Sequence, residues 1–170
     1  MPLNGELVSA LDGNWAPVEK ALGDKVKAKA QKSGVELSDA QVLQATRDSV
    51  RALMMIRAYR MRGHLHANLD PLAIAPPKDH EELHPSTYGF TEADYDRPIF
   101  IDHVLGLEFA TINQMLAILR RTYCQTLGVE FMHISDPTEK AWIQERIEGP
   151  DKEIAFTERG KRAILNKLIE

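Results

Sequence analysis

One cysteine, Cys124, stands in 170 residues. A single thiol excludes an intramolecular disulfide, and such low cysteine usage points to a reducing compartment. Aromatic residues are only 6% of the chain and β-branched residues are modest in number, which favours helix over sheet. Long apolar runs are missing too. The longest, 52–56, is far too short to cross a bilayer. The opening residues, MPLNGELVSALDG, lack the basic start and apolar stretch of a secretory signal. Together these absences predict a soluble, intracellular protein without a membrane segment. There is no glycine-rich phosphate loop and no G-x-S-x-G elbow.

Hydrophobic residues make up 44% and charged residues 27%, as in ordinary globular domains. A chain of this length supports one sizeable core, burying roughly 70% of its unfolded surface. The net charge of −4 is unevenly spread. Residues 14–62 carry ten Lys/Arg against five Asp/Glu, and residues 63–107 carry two against eight. A basic segment followed by an acidic one predicts that the two face each other or water. Five arginines between Arg47 and Arg62 raise nucleic-acid binding. The missing aromatic interleaving and the acidic overall charge argue against it.

Hydrophobic spacing predicts a helix over 17–32, with Pro17 at its start, Gly34 past its end and a narrow apolar stripe that suits a peripheral position. The strongest helix is expected over 39–62. Ser38 and Gln41 form a capping box, and Val42, Ala45, Ser49, Ala52, Leu53, Ile56 and Tyr59 share one face. Gly63 is expected to end it in the left-handed conformation. Arg57, Arg60 and Arg62 crowd the last turns, where the helix dipole favours cations. Residues 64–107 hold five of the nine prolines and read as a long ordered loop, with short helical turns from Lys78 and from Glu92 and a strand over 97–102. Thr111 and Gln114 cap a helix over 112–127, closed by Gly128, with Ile112, Met115, Leu116, Leu119 and Tyr123 inward. A short strand is expected over 129–134. Asp136, Pro137 and Glu139 start the next helix, which Gly149 and Pro150 close. The last helix starts near Thr157. Its apolar residues, Ile164 with Leu168 and Leu165 with Ile169, run on to Glu170 with no stop signal, which suggests that the chain is cut there. The fold class expected is mainly α, a helical domain with a long proline-rich loop and one short β pair.

His80-Glu81-Glu82-Leu83-His84 fits H-E-x-x-H, a zinc-hydrolase pattern when it lies inside a helix. Pro76 and Pro77 precede it and Pro85 follows His84. A residue before proline is pushed out of the α region, so the two histidines should not share a helical face. A second combination is His64 and His66 with Asp70 as metal ligands. Its rival reading is a helix end whose polar groups fasten the following loop, with Asp70 before Pro71 starting a turn. The second reading is preferred. His103 and His133, near apolar residues, read as satisfied structural histidines.

The segment IRAYRMRGHLHANLDPL, residues 56–72, resembles a signature of the thiamine-dependent, decarboxylating component of 2-oxoglutarate dehydrogenase. YGFTEADYDRPIFID (88–102) and LAILRRTYCQTLGVEFMHISDPTEKAWIQERIEG (116–149) resemble further blocks of that family. FTERGKRAILNKLIE (156–170) is similar to the lead-in to its cofactor domain. The resemblance runs from about Leu3 to the end. It departs at Ala73, where relatives tend to have glycine, and at His84, where aspartate is expected; the zinc pattern then rests on one substitution.

The resemblance implies a parent protein that binds thiamine diphosphate and Mg²⁺ across a homodimer interface. That parent decarboxylates 2-oxoglutarate in the tricarboxylic acid cycle and passes the succinyl unit to the lipoyl group of a dihydrolipoyl succinyltransferase, in bacterial cytoplasm or mitochondrial matrix. It further implies that residues 1–155 form a helical N-terminal region and 156–170 the lead-in helix of the first thiamine-binding domain. The family's HRGRLN and G-D-G blocks do not occur in this sequence. No catalytic, cofactor-binding or metal residue is therefore assigned, and neither cofactor is expected to bind this chain alone. The candidate residues are those of a structural junction: Arg60, Arg62, His64, His66 and Asp70. The arginines are expected to pair with carboxylates such as Asp70, the histidines to bond loop backbone, and Leu69 and Leu72 to tuck into apolar neighbours. A stand-alone helical interaction module is the alternative.

Overall fold

The computed structural model describes residues 14–72, 74, 76–152 and 156–170. Among the described residues, five α-helices and one minimal β hairpin are arranged around two apolar clusters. Helix α1 runs Ala16–Lys32, α2 Asp39–Arg62, α3 Ile112–Tyr123, α4 Pro137–Ile147 and α5 Glu158–Ile169. Strands β1 (Ile99–Phe100) and β2 (Phe109–Ala110) pair antiparallel, with Ile99 opposite Ala110 and Phe100 opposite Phe109. The mainly α class and the single β pair agree with the sequence reading, but the pairing differs in one strand. Residues 129–134 are not a strand. Phe131 is buried there by stacking on Tyr123, with ring centroids 6.4 Å apart.

Helix α2 is the spine. Ser38 accepts from the Gln41 amide while the Gln41 side chain accepts from the Ser38 amide, which satisfies both donors of the capping box. Ala52, Met55, Ile56, Ala58 and Tyr59 lie in the main core with Ile101, Ile112, Met115, Leu119 and Tyr123. The α3 stripe is buried as its spacing requires. Helix α3 nevertheless ends at Tyr123, four residues before the expected end. Its chain leaves to bring Phe131 back onto the core. The other cluster joins α1 to the outer part of α2 through Leu22, Val26, Val42, Val50 and Phe100. Lys25 pairs with Asp102, and Lys29 Nζ lies 2.5 Å from Glu108 Oε1. The basic segment thus faces acidic residues of the hairpin region.

Gly23 sits in α1 where an added Cβ would meet Thr46 Oγ1 at 3.5 Å, an ordinary contact. Gly23→Ala should therefore stabilise the protein by about 0.5–1 kcal/mol through helix propensity. A thermal melt of the variant checks this, and a lowered midpoint would count against it.

The long loop is built of short 3₁₀ turns at Glu81–Leu83, Pro85–Tyr88 and Glu92–Asp94. The turn expected at Lys78 starts at Glu81 instead. Asp94 accepts from both the amide and the hydroxyl of Thr91 and from Arg97. These bonds, the backbone one foremost, hold its pKa at about 2. Between the strands, Asp102, His103 and Leu105 all have positive φ, at 51°, 63° and 61°. That is a costly conformation for non-glycine residues. The burial of Ile101 and Leu105 on either side holds the hairpin tip in it. Helix α4 has no fully buried residue and α5 has none. Among the described residues, no helix is long and apolar enough to cross a membrane.

Candidate functional site

Two buried or half-buried arginines of the α2 end, Arg60 and Arg62, each meet a carboxylate there. Successive helical residues are rotated by about 100°, so Arg60 and Arg62 project to opposite sides. Arg60 reaches the end of α4. Its Nε donates to Glu148 Oε1 at 2.7 Å and its Nη2 to Oε2 at 2.6 Å. The Tyr123 hydroxyl donates to the same Oε1. Glu148 is only 5% exposed and Tyr123 is fully buried. A two-pronged guanidinium–carboxylate bond is the strong form of ion pair. Burial weighs against the Arg60 charge, but the bonds to Glu148 outweigh it and hold the arginine pKa above its usual value. Burial, then the Glu148 charge, pushes the Tyr123 phenol well up.

Neighbouring residues of α3 close the same grip. Arg121 donates to the carbonyls of Gly149 and Pro150, and Thr122 Oγ1 donates to that of Ile147 at 3.3 Å. The end of α4 is thereby fixed to both α2 and α3.

On the other side, Arg62 Nε donates to Glu82 Oε2 at 3.2 Å, and Tyr88 donates to the Glu82 carbonyl at 2.8 Å. Tyr59 donates to the Leu83 carbonyl at 3.0 Å. His66 Nδ1 lies 3.0 Å from the Lys78 carbonyl, which places its proton on that nitrogen. Asp70 accepts from the amides of Leu72 and Ile74 at 2.9 and 2.6 Å, a side-chain-closed turn at Asp-Pro. His64 Nε2 is 3.9 Å from Glu130 Oε2, and its Nδ1 is buried without a partner. The loop backbone joins this side through the Asn68 amide, which donates to Gln125 at 2.8 Å.

All five junction residues of the sequence reading therefore lie around one helix end, although they do not form one ligand set. The structure places Glu148 against Arg60 and Glu82 against Arg62, pairings that the sequence reading does not assign. Leu69 and Leu72 do not tuck in; they are 59% and 76% exposed. The Asp70 turn points this stretch outward. His103 and His133 are exposed as well, not structural core histidines.

Gly63 is also corrected. It is right-handed, φ −56° and ψ −33°, and leads into a 3₁₀ turn over Gly63–His66. Glycine is needed there for space. A Cβ at Gly63 would stand 2.5 Å from Tyr123 Cβ.

The two histidines of the H-E-x-x-H pattern do not share a helical face. His80 and His84 are both extended and flank the 3₁₀ turn. His80 Nδ1 accepts from the Glu82 amide at 3.2 Å, and His84 Nε2 lies 2.9 Å from both Asp79 oxygens. Among the described residues, no group of three His, Cys, Asp or Glu side chains is placed to hold a metal ion.

Cys124 donates its S–H to the Gly63 carbonyl at 3.5 Å. Burial pushes its thiol pKa up to about 11, against the pull of Arg120. Its thiolate fraction near pH 8 should be about 100-fold below that of an unfolded thiol. Iodoacetamide should therefore label it slowly in buffer and quickly in urea; equal rates would contradict the burial.

Comparison with known proteins gives this helical junction a context. No protein-family model matches the chain. It is, however, similar over nearly its whole length to the N-terminal part of much longer bacterial dehydrogenase subunits. It is 68% identical over 174 aligned residues to the 2-oxoglutarate dehydrogenase E1 component of Brucella anthropi. It is 69% identical to those of Brucella canis and Brucella suis. Each alignment covers 98% of this chain and 17% of the relative. The chain spans about 17% of the length of these relatives and matches their N-terminal part.

Proposed function

We propose that these residues form a structural, non-catalytic helical region of a 2-oxoglutarate dehydrogenase E1 component, with 1–155 as the region itself and 156–170 as the lead-in helix to a thiamine-binding domain. The boundary falls beside residues 153–155, which lie outside those described. The observation that carries this reading is the 68–69% identity along 98% of the chain. The parent would decarboxylate 2-oxoglutarate and transfer the succinyl unit to the lipoyl group of a dihydrolipoyl succinyltransferase. It would work as a homodimer in bacterial cytoplasm.

Thiamine diphosphate and Mg²⁺ supply the carbanion chemistry of such enzymes. Among the described residues the carboxylates at the end of α2 are engaged by arginines, and the sequence holds no glycine-rich phosphate loop, which supports placing neither group on this chain. We assign both cofactors to the rest of the E1 component. The role of the Arg60–Glu148 and Arg62–Glu82 pairs is to lock the long loop and the α4 end against α2.

Release of CO₂ from labelled 2-oxoglutarate tests this. The 170-residue chain should release none above background with both cofactors present, and the full-length E1 component should. Turnover by the short chain would overturn the structural reading. Arg62→Ala in the full-length protein should lower its melting temperature and loosen the junction. Unchanged melting with unchanged turnover would count against the lock. The interaction-module alternative draws on exposed Leu72, Ile74, Leu127 and Trp142. A cooperatively melting, monodisperse monomer of the short chain would favour it.

A further inference from the structure

Helix α1, the turn at 33–37, α2 and the β1–β2 hairpin leave a half-open cavity of about 270 Å³ between them. Its wall is apolar, formed chiefly by Val26, Ala30, Leu37, Ile99, Phe100 and Phe109. The two phenylalanine rings stand 5.3 Å apart at 58°, so they offer a further ring both an edge and a face. Water can reach a half-open apolar wall of this kind, and an apolar molecule that displaces it removes that wall from solvent.

Charge decides what can enter. Three charged side chains line the cavity, Lys29, Asp48 and Arg97, and each already has an opposite charge beside it. Lys29 pairs with Glu108 at 2.5 Å. Asp48, with a side chain only 3% exposed, has its Oδ2 2.9 Å from Arg97 as an ion pair without a hydrogen bond, and its Oδ1 accepts from Gln44 at 3.0 Å. Arg97 also pairs with Asp94 at 2.9 Å. A charged ligand would lose its hydration and find no free counter-ion. A neutral one loses little and gains the apolar wall.

We propose that this cavity binds a small, neutral, mostly apolar molecule, an aromatic ring system of about 8–12 non-hydrogen atoms. An apolar cavity of about 150 Å³ accepts benzene, so the space here suits a two-ring compound. This ligand site is independent of the dehydrogenase reading and would stand if that reading failed. Occupancy would tie α1 to α2 and to the hairpin at once.

The test titrates the 170-residue chain with indole, observing methyl groups by NMR. Saturable shifts confined to Val26, Val35, Leu37 and Ile99 are expected. They should vanish in Ala45→Phe, which fills the cavity from α2. They should also vanish in Val35→Trp, which blocks it from a turn position 51% exposed, where folding is little at risk. Indole-3-acetate and tryptamine should bind at least about 10-fold more weakly, because each carries a charge with no partner to meet. Shifts spread over the surface, failure to saturate, equal binding of the charged analogues, or undiminished binding by a folded Val35→Trp protein would each overturn the proposal.

Discussion

Glu148→Ala lowers the stability of this domain by about 3–5 kcal/mol in urea unfolding, the cost of leaving a buried charge unpaired. The magnitude follows from what is left behind. The Arg60 side chain is 17% exposed and the Glu148 side chain 4%, so water cannot freely replace the lost carboxylate. Tyr123, fully buried, would lose its acceptor at the same time. Arg60→Ala should cost somewhat less, because Glu148 keeps the Tyr123 bond. The double variant Arg60→Met/Glu148→Leu should recover much of the loss, since removing both charges also removes the desolvation cost. If each single variant lost under about 1 kcal/mol, as exposed surface pairs do, the clamp would not be the buried one described.

Gly63→Ala should destabilise by about 2–3 kcal/mol through overpacking, against the gain of about 1 kcal/mol that alanine normally brings to a helix. The backbone at Gly63 is right-handed, so strain is not the cause. The added methyl would stand 2.5 Å from Tyr123 Cβ and 3.3 Å from its Cγ. Tyr123→Ala in the Gly63→Ala background should give no relief, because alanine keeps the obstructing Cβ. Tyr123→Gly would clear it, at the expense of the core. Urea melts of Gly63→Ala beside Gly23→Ala make the comparison internal. Opposite signs are expected, and a neutral Gly63→Ala would mean that α2 and α3 lie farther apart than described.

The local features were legible because local physics makes them. Capping boxes at Ser38 and Thr111, the Asp136 cap, and the inward stripes of α2 and α3 each need only a few neighbouring residues. The extended backbone at His84 is legible for the same reason, because Pro85 acts directly on it. The errors share a different origin. The Arg60–Glu148 partnership spans 88 residues of sequence, and nothing around Glu148 marks it as a buried carboxylate. Gly63 was misread because a stop signal and a close-approach site use the same residue; only the position of Tyr123 separates them. The early end of α3 likewise depends on Phe131 returning to the core. Leu69 and Leu72 look like core residues by composition, but the turn built by Asp70 decides their direction.

The two apolar clusters also carry a consequence for how the molecule opens. Helix α1 is held by a handful of side chains and by ion pairs at its exposed edge, whereas α2 and α3 share the larger core and the clamp. Marginally held segments open locally long before the whole chain unfolds. The amides of α1 should therefore exchange with solvent deuterium through a brief detachment that leaves the inner amides of α2 protected. Added salt should hasten that detachment by screening Lys25 from Asp102 and Lys29 from Glu108.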